Sequence, residues 1–438
     1  MKNKNSKHYD AIVVGSGPGG ATVAKALTEK NKNVLILERG GNAKINGSLT
    51  QMAMTGGIPG KHVMFTDRTF LAIIRGIVTG GSTIFYCASA FEPPYEMMES
   101  YGIDIRNEVE ALKSEIPTGP LNDDLFGKGA RRIMESAVEL GYDWKKLNKF
   151  IYQEKCKTDC NKCSYGCPYG AKWTARNFVE KATDNGAELI NGAKVNRVLF
   201  SGKKAVGVEF TIHCKTRKVF ADKIIVSAGG TGTPVILQKS GLRNAGQDFF
   251  FDPLIMVFGT VDKLKSKGEV QMSAGAHMQE DGYMMVDLNF PLPIFAAQTA
   301  PKFKIHKAIS HSDTLMIMIK IKDDLGGKIK PGGGIRKSLS KNDRLKLKSG
   351  YERAKIILEN AGAKDVYSGW HMAAHPGGTA KINEVVDANL KTEYDNLYVC
   401  DCSVIPEPWG LPPTFTLLAL GKRLASHLIN GGARPVLS

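Results

Sequence analysis

The stretch Tyr9-Asp-Ala-Ile-Val-Val-Gly15-Ser-Gly17-Pro-Gly19-Gly20 decides the fold of this chain. A short apolar strand runs straight into a glycine-rich turn. Ala21 to Lys30 then has helical spacing, with Val23 and Leu27 available for packing. A second apolar run, Val34-Leu-Ile-Leu37, closes on Glu38. Strand, Gly-x-Gly-x-x-Gly turn, helix, strand and terminal acid within about thirty residues make the Rossmann dinucleotide fingerprint.

Each position in the unit has a physical task. Gly15 allows the tight turn, Gly17 lets the backbone approach a pyrophosphate, and Gly20 lets the helix lie close on the strand. The helix N-terminus offers unpaired N–H groups and a positive dipole end to that pyrophosphate, with Ser16, Pro18 and Gly19 completing the turn. Glu38, followed by Arg39, is placed to accept hydrogen bonds from ribose hydroxyls. The unit begins at the extreme N-terminus and further glycine turns recur down the chain, which favours FAD over NAD.

Thr79-Gly80-Gly81-Ser82-Thr83 is one such turn, suited to touch an isoalloxazine or pyrophosphate. Gly192 to Phe200, with Val195, and Val206 to Phe210 read as hairpin strands. Lys223 to Gly229 reads as a separate buried strand whose small end, Ala228-Gly229, lets an adenine pack closely, and Thr233 to Gly241 reads as a helix with its stop. Far downstream come Trp370-His-Met-Ala-Ala-His375-Pro-Gly-Gly-Thr379, Asp401-Cys-Ser-Val-Ile-Pro406 and Gly410-Leu-Pro-Pro413-Thr414. A final helix, Phe415 to Ile429, places Leu417, Leu420, Leu424 and Leu428 on one face.

Over both ends and residues 172–243, these segments resemble the glucose–methanol–choline (GMC) family of FAD oxidoreductases. The resemblance implies FAD bound by Gly15 to Gly20, Glu38, Arg39, Gly80, Gly81, Ser82, Val195, Ala228, Gly229, Asp401, Pro413 and Thr414. It also implies that His375, in His-x-x-Gly-Thr, removes a hydroxyl proton while hydride passes from a CH–OH carbon to flavin N5. The N-terminus of the closing helix would face the flavin pyrimidine and stabilise negative charge there. The chain departs from the family at Pro412, where a second polar residue normally stands, and at apolar Phe85 in the first-half glycine loop. A partner for His375 is then expected elsewhere, at Tyr86 or Glu407.

Four of the eight cysteines fall in one run, Cys156, Cys160, Cys163 and Cys167, followed by Pro168. The second half of the run, C-x2-C-x3-C-P, matches the end of a bacterial ferredoxin motif, so a [4Fe-4S] iron–sulfur cluster is expected, with a zinc site or a purely structural loop as alternatives. Cys87, Cys214, Cys400 and Cys402 read as buried small hydrophobes. No secretory signal precedes Tyr9, so the chain reads as cytoplasmic, where thiols favour metals over disulfides.

A chain of 438 residues has room for more than one core. The fold class is α/β: a discontinuous Rossmann-like FAD-binding domain (1–95, 172–245 and 365–438), a helical segment with the cysteine insertion (96–171), and an α+β substrate domain (246–364). The last is built on an antiparallel sheet from Leu254–Phe258, Gly282–Asp287 and Thr314–Ile321. Methionines there act as core filler and as a flexible lining that favours a hydrophobic substrate. No stretch reaches the ~18–20 apolar residues of a membrane span, which argues against an integral membrane protein. The net charge of +16 and the lysine-rich stretch from Lys302 to Lys348 read either as a solvated surface or as a docking face for an acidic partner, an anionic substrate or a membrane. Nucleic acid is not expected, because the basic residues are not interleaved with the exposed aromatics that a single-strand binder uses. The expected function is an FAD-dependent dehydrogenase for a small molecule, passing electrons through the cluster to a carrier protein or quinone. An FAD oxidase with structural cysteines and an electron-transfer flavoprotein subunit are the alternatives.

Overall fold

The structure, a computed structural model, describes residues 8–431 except Arg68 and Lys267. The fingerprint forms as the pattern predicts: strand Tyr9–Val14, helix Pro18–Thr28 and strand Val34–Glu38. Strand Tyr9–Val14 is central in a parallel array, between Val34–Glu38 and the end of Lys215–Val226, with Val14 opposite both Leu37 and Val226. Glu188–Asn191 adds to the outer edge of Val34–Glu38, and Leu397–Val399 pairs in parallel with Ile224 to Val226. A strand covered on both faces must be apolar throughout, and Ile12, Val13 and Val14 meet that demand at almost no exposure. Gly15 follows with φ +100°, and a Cβ there would stand 2.2 Å from Ser227 O, so only glycine fits.

The stretch read as a separate strand near Lys223 is one long strand, Lys215–Val226. Its first half pairs antiparallel with Lys204–Ile212, and its second half joins the parallel array. Residues His213 and Cys214 turn the hairpin with both φ positive, the two-residue geometry that matches strand twist. Cys214 is therefore exposed rather than buried.

A second, nine-stranded sheet supplies the other half of the molecule. Its centre runs Pro253–Thr260, Thr314–Ile321, Tyr283–Leu288 and Ala274–Met278, all antiparallel. It also recruits Val63–Phe65 and Ala72–Ile74 from early in the chain, and Met372–Ala373 just before His375. Alternation along each strand splits its two faces. Ile255, Val257, Ile317 and Ile319 pack beneath helices Lys128–Glu139 and Lys341–Asn360. Leu254, Met256, Met284, Met316 and Met318 face the other way, against Cys402, Trp409 and Leu411 of the C-terminal segment. Helix Lys341–Asn360 was hidden inside the lysine-rich stretch. Its start is a capping box, with Ser340 Oγ accepting from Asp343 N and Asp343 accepting from Ser340 N.

Candidate active site

The glycine turn is held by a chain of hydrogen bonds through one serine. Ser16 Oγ donates to Glu38 Oε2 (2.5 Å) and accepts from Gly80 N (3.1 Å), which ties the two glycine turns together. Glu38 also accepts from Ser16 N (3.1 Å) and Gly40 N (2.6 Å). Burial pushes its carboxyl upward, and these donors oppose that shift. Both Glu38 oxygens thus brace the turn; Oε2 is fully used by its two donors, and Oε1, which accepts from Gly40 N, keeps a lone pair for a further donor.

Asp401 plays a bracing role too. It accepts from Gly229 N (2.8 Å), Thr233 Oγ1 (2.5 Å) and Ser403 N (2.8 Å), fastening the Ala228–Gly229 turn to the returning chain. Ala228 N donates to Thr233 Oγ1 at 3.0 Å. Val195 is buried in strand Lys194–Ser201. Pro413 and Thr414 open the helix Thr414–Ile429, which packs on helix Pro18–Thr28.

His375 lies where the two sheets meet, and two residues that sequence reading missed lie beside it. Lys320 Nζ is 3.1 Å and Asp252 Oδ2 3.3 Å from the same ring nitrogen, Nδ1. Lys320 and Asp252 form an ion pair of 2.9 Å at 1% and 2% side-chain exposure. Burial first, and the Lys320 charge second, hold the His375 imidazole below its ordinary range, while Asp252 pulls the other way. Nδ1 makes one of these bonds at a time. It accepts from lysine with the proton on Nε2, or it donates to Asp252 and leaves Nε2 bare.

A second buried ion pair, Lys337–Asp323 at 3.0 Å, supports the first. The Asp323 carboxylate accepts from Phe251 N (3.3 Å) and Asp252 N (3.0 Å), and burial lifts it to about 7. Asp252 and His375 both have left-handed backbone, φ 45° and 46°, and that bracing holds Asp252 in this conformation. Tyr86 and Glu407 are engaged elsewhere: Tyr86 Oη donates to Trp173 O (2.7 Å), and Glu407 accepts from Tyr101 (2.8 Å). His371 lines a cavity of about 470 Å³ with Ile255, Leu347 and Tyr351, on the helix-covered side of the sheet.

Two segments of the chain, residues 9–255 and 335–421, match the family described as GMC oxidoreductase. The chain belongs to the GMC oxidoreductase family. It is similar to an uncharacterised protein of Methanocaldococcus jannaschii, MJ1450, with 28% identity over 96% of this chain and 100% of that one. It is also similar to the long-chain-alcohol oxidase FAO3 of Arabidopsis thaliana, with 24% identity over 96% of this chain and 68% of the relative. Among solved structures, pyridoxine 4-oxidase from Mesorbium loti shares the fold at TM-score 0.75 and 17% identity, over 96% of this chain and 99% of that one. A formate oxidase of Aspergillus oryzae gives 0.73 and 16%, over 98% and 99%.

This GMC protein is an FAD-dependent oxidoreductase, and its residues fit the cofactor. The first bond of helix Pro18–Thr28 runs from Ala21 N to Gly17 O, so the amides of Gly19 and Gly20 precede the helix's own ladder. A Cβ at Gly17 or Gly229 would meet no atom within 4 Å, so open space lies against both turns. Trp409 Nε1 and Thr416 Oγ1 are buried without a hydrogen-bond partner, and both lie in the closing segment that would border the flavin.

The cysteine run does not form the gathered cradle its spacing predicted. All four cysteines are free thiols, and among the described residues no three His, Cys, Asp or Glu side chains lie close enough to hold a metal ion. Cys163 is tucked inward by the 3-10 turn Lys162–Tyr165, after which Gly166 and Cys167 take left-handed backbone. Burial pushes the Cys156 and Cys163 thiols up to about 11 and about 12. Lys172 Nζ, buried beside them, donates to the carbonyls of Ile84 (2.7 Å), Tyr86 (3.0 Å) and Cys163 (2.7 Å).

Proposed function

We propose that this protein oxidises the CH–OH group of a small, largely apolar alcohol, with His375 as the base. The observation that carries the reading is the buried Asp252–Lys320 pair set against half-buried His375, beside the methionine-rich face of the second sheet. Bound FAD would supply the hydride acceptor. Gly15 to Gly20, Glu38, Arg39, Gly80 to Ser82, Val195, Ala228, Gly229, Pro413 and Thr414 would hold it, with Asp401 bracing the turn. His375 takes the hydroxyl proton on Nε2 while Nδ1–H donates to Asp252, which fixes the ring and stabilises the imidazolium. Lys320 and Asp252 together are neutral, so the site holds a charged pair in an apolar surround without net charge. The polar role that Pro412 cannot fill passes to residues from the second sheet.

Met284, Met316, Met318 and Trp409 favour an apolar substrate body, and the relatives' long-chain-alcohol oxidase activity is consistent with that class. A second reading keeps the cysteine loop as a one-electron exit toward a carrier protein or quinone. Cys156, Cys160 and Cys163 each lie within electrostatic reach of Cys167, and the buried ammoniums of Lys149 and Lys172 would balance the charge of a four-thiolate centre. That reading requires the loop to close around iron.

One anaerobic experiment tests both. Primary alcohols of increasing chain length should bleach the flavin of the intact protein, and His375→Asn should keep FAD but lose bleaching by about 10²–10⁴-fold. Undiminished bleaching in the variant would refute the base role. Absence of iron and acid-labile sulfide in anaerobically purified protein would end the cluster reading.

A further inference from the structure

The segment Leu292–Asp313 caps one end of the second sheet as a short α-helix, Leu292–Thr299, followed by 3-10 turns at Ala300–Lys302 and Ile305–Asp313. Its inner side is anchored. Phe295 is fully buried, edge-on to Phe258 and to His311 at 5.1 Å each, and His311 Nε2 bonds Phe290 O at 2.7 Å. A surface cap of this kind normally turns polar residues outward. This one does not: Phe303 is 90% exposed, Ile309 94%, Ile305 57% and Leu292 46%. Phe303 also has φ +58°, an uncommon backbone for an aromatic residue.

The charge around these side chains is mostly positive. No acidic residue occurs between Asp287 and Asp313, whereas Lys302, Lys304 and Lys307 alternate with the exposed apolar residues. Asp365 pairs with Lys307 at 3.0 Å, and Lys304 lies over the Tyr367 ring. The Trp370 backbone N–H donates to Gln298 O at the end of helix Leu292–Thr299, and its ring stacks on Phe65 at 6.0 Å. Large apolar side chains in water, flanked by lysines that outnumber the one carboxylate paired among them, Asp365, match an anionic bilayer surface. The rings and aliphatic tips enter the acyl boundary while the ammoniums stay at headgroup level. No helix among the described residues is long and apolar enough to cross a membrane, so the contact is peripheral.

We propose that residues 292–309 dock this protein onto anionic lipid membranes, with Phe303 and Ile309 inserted and Lys302, Lys304 and Lys307 at the headgroups. The experiment is co-sedimentation of the FAD-loaded protein with phosphatidylcholine vesicles, with and without phosphatidylserine. Binding is expected to the anionic vesicles and to weaken with salt. Phe303→Asp/Ile309→Asp should release the protein, and Lys302→Gln/Lys304→Gln should weaken binding about fivefold per lysine. Both apolar positions are almost wholly in water, so the double variant should keep its flavin spectrum and circular dichroism. Three outcomes would overturn the proposal: no sedimentation with either vesicle, undiminished binding of the Asp/Asp variant, or vesicle-independent self-association that this variant abolishes, which would make the segment a contact between two copies.

Discussion

The role proposed for His375 turns on what stands at its Nδ1. Asp252 and Lys320 compete for that one nitrogen, and they move its proton affinity in opposite directions. Because His375 sits below the ordinary imidazole value of 6.5, the acid limb of flavin reduction should fall below that value, with the base already free in mildly acid solution. Lys320→Met removes the opposing charge and should move the limb to higher pH. Asp252→Asn removes the favourable one and should move it lower, while leaving Nδ1 to accept from Lys320 and so slowing reduction. Stopped-flow reduction across pH reads both shifts, and a limb that ignores the two variants would dissociate the cluster from the chemistry. The motif around His375 was legible because glycine and threonine at fixed offsets mark it. Its partners were not, since Asp252 lies 123 residues away and Lys320 lies 55 away, in a stretch whose lysines look solvated.

At the level of elements, the His375 loop is positioned by contact with another turn. A Cβ at Gly230 would stand 1.7 Å from Pro376 O, so Gly230→Ala must displace the loop that presents His375. The variant should keep FAD but lose most of its flavin reduction, measured on the same anaerobic assay. Lys337→Met should cost about 3–5 kcal/mol in denaturant titration, because it strands the buried Asp323 carboxylate that holds Asp252. The regular elements of the nucleotide-binding half were readable from period and glycine chemistry. Helix Lys341–Asn360 was not, although Ser340 and Asp343 carry its start signal, because lysines crowd the same stretch. The cysteine loop is the opposite case. Its spacing fits a cluster, but spacing along a chain does not fix where buried Cys163 points.

Across the whole molecule, the cofactor would tie together turns that come from distant parts of the chain, Gly15 to Gly20, Gly80 to Ser82, Ala228–Gly229 and the closing segment. FAD at a hundredfold over its dissociation constant should therefore add about 2.7 kcal/mol of stability, seen as a fall in Tm when the flavin is stripped and a recovery when it is returned. The sequence by itself determined the Rossmann half, the family and the His375 loop. These depend on local periodicity and on residue types that only one backbone geometry tolerates, such as Gly15 in its left-handed turn. Only the tertiary structure decided which lysines are interior, what faces Nδ1 of His375, and that the four cysteines are not gathered. Burial and charge pairing arise between strands that meet across the fold, and no spacing in the chain encodes them.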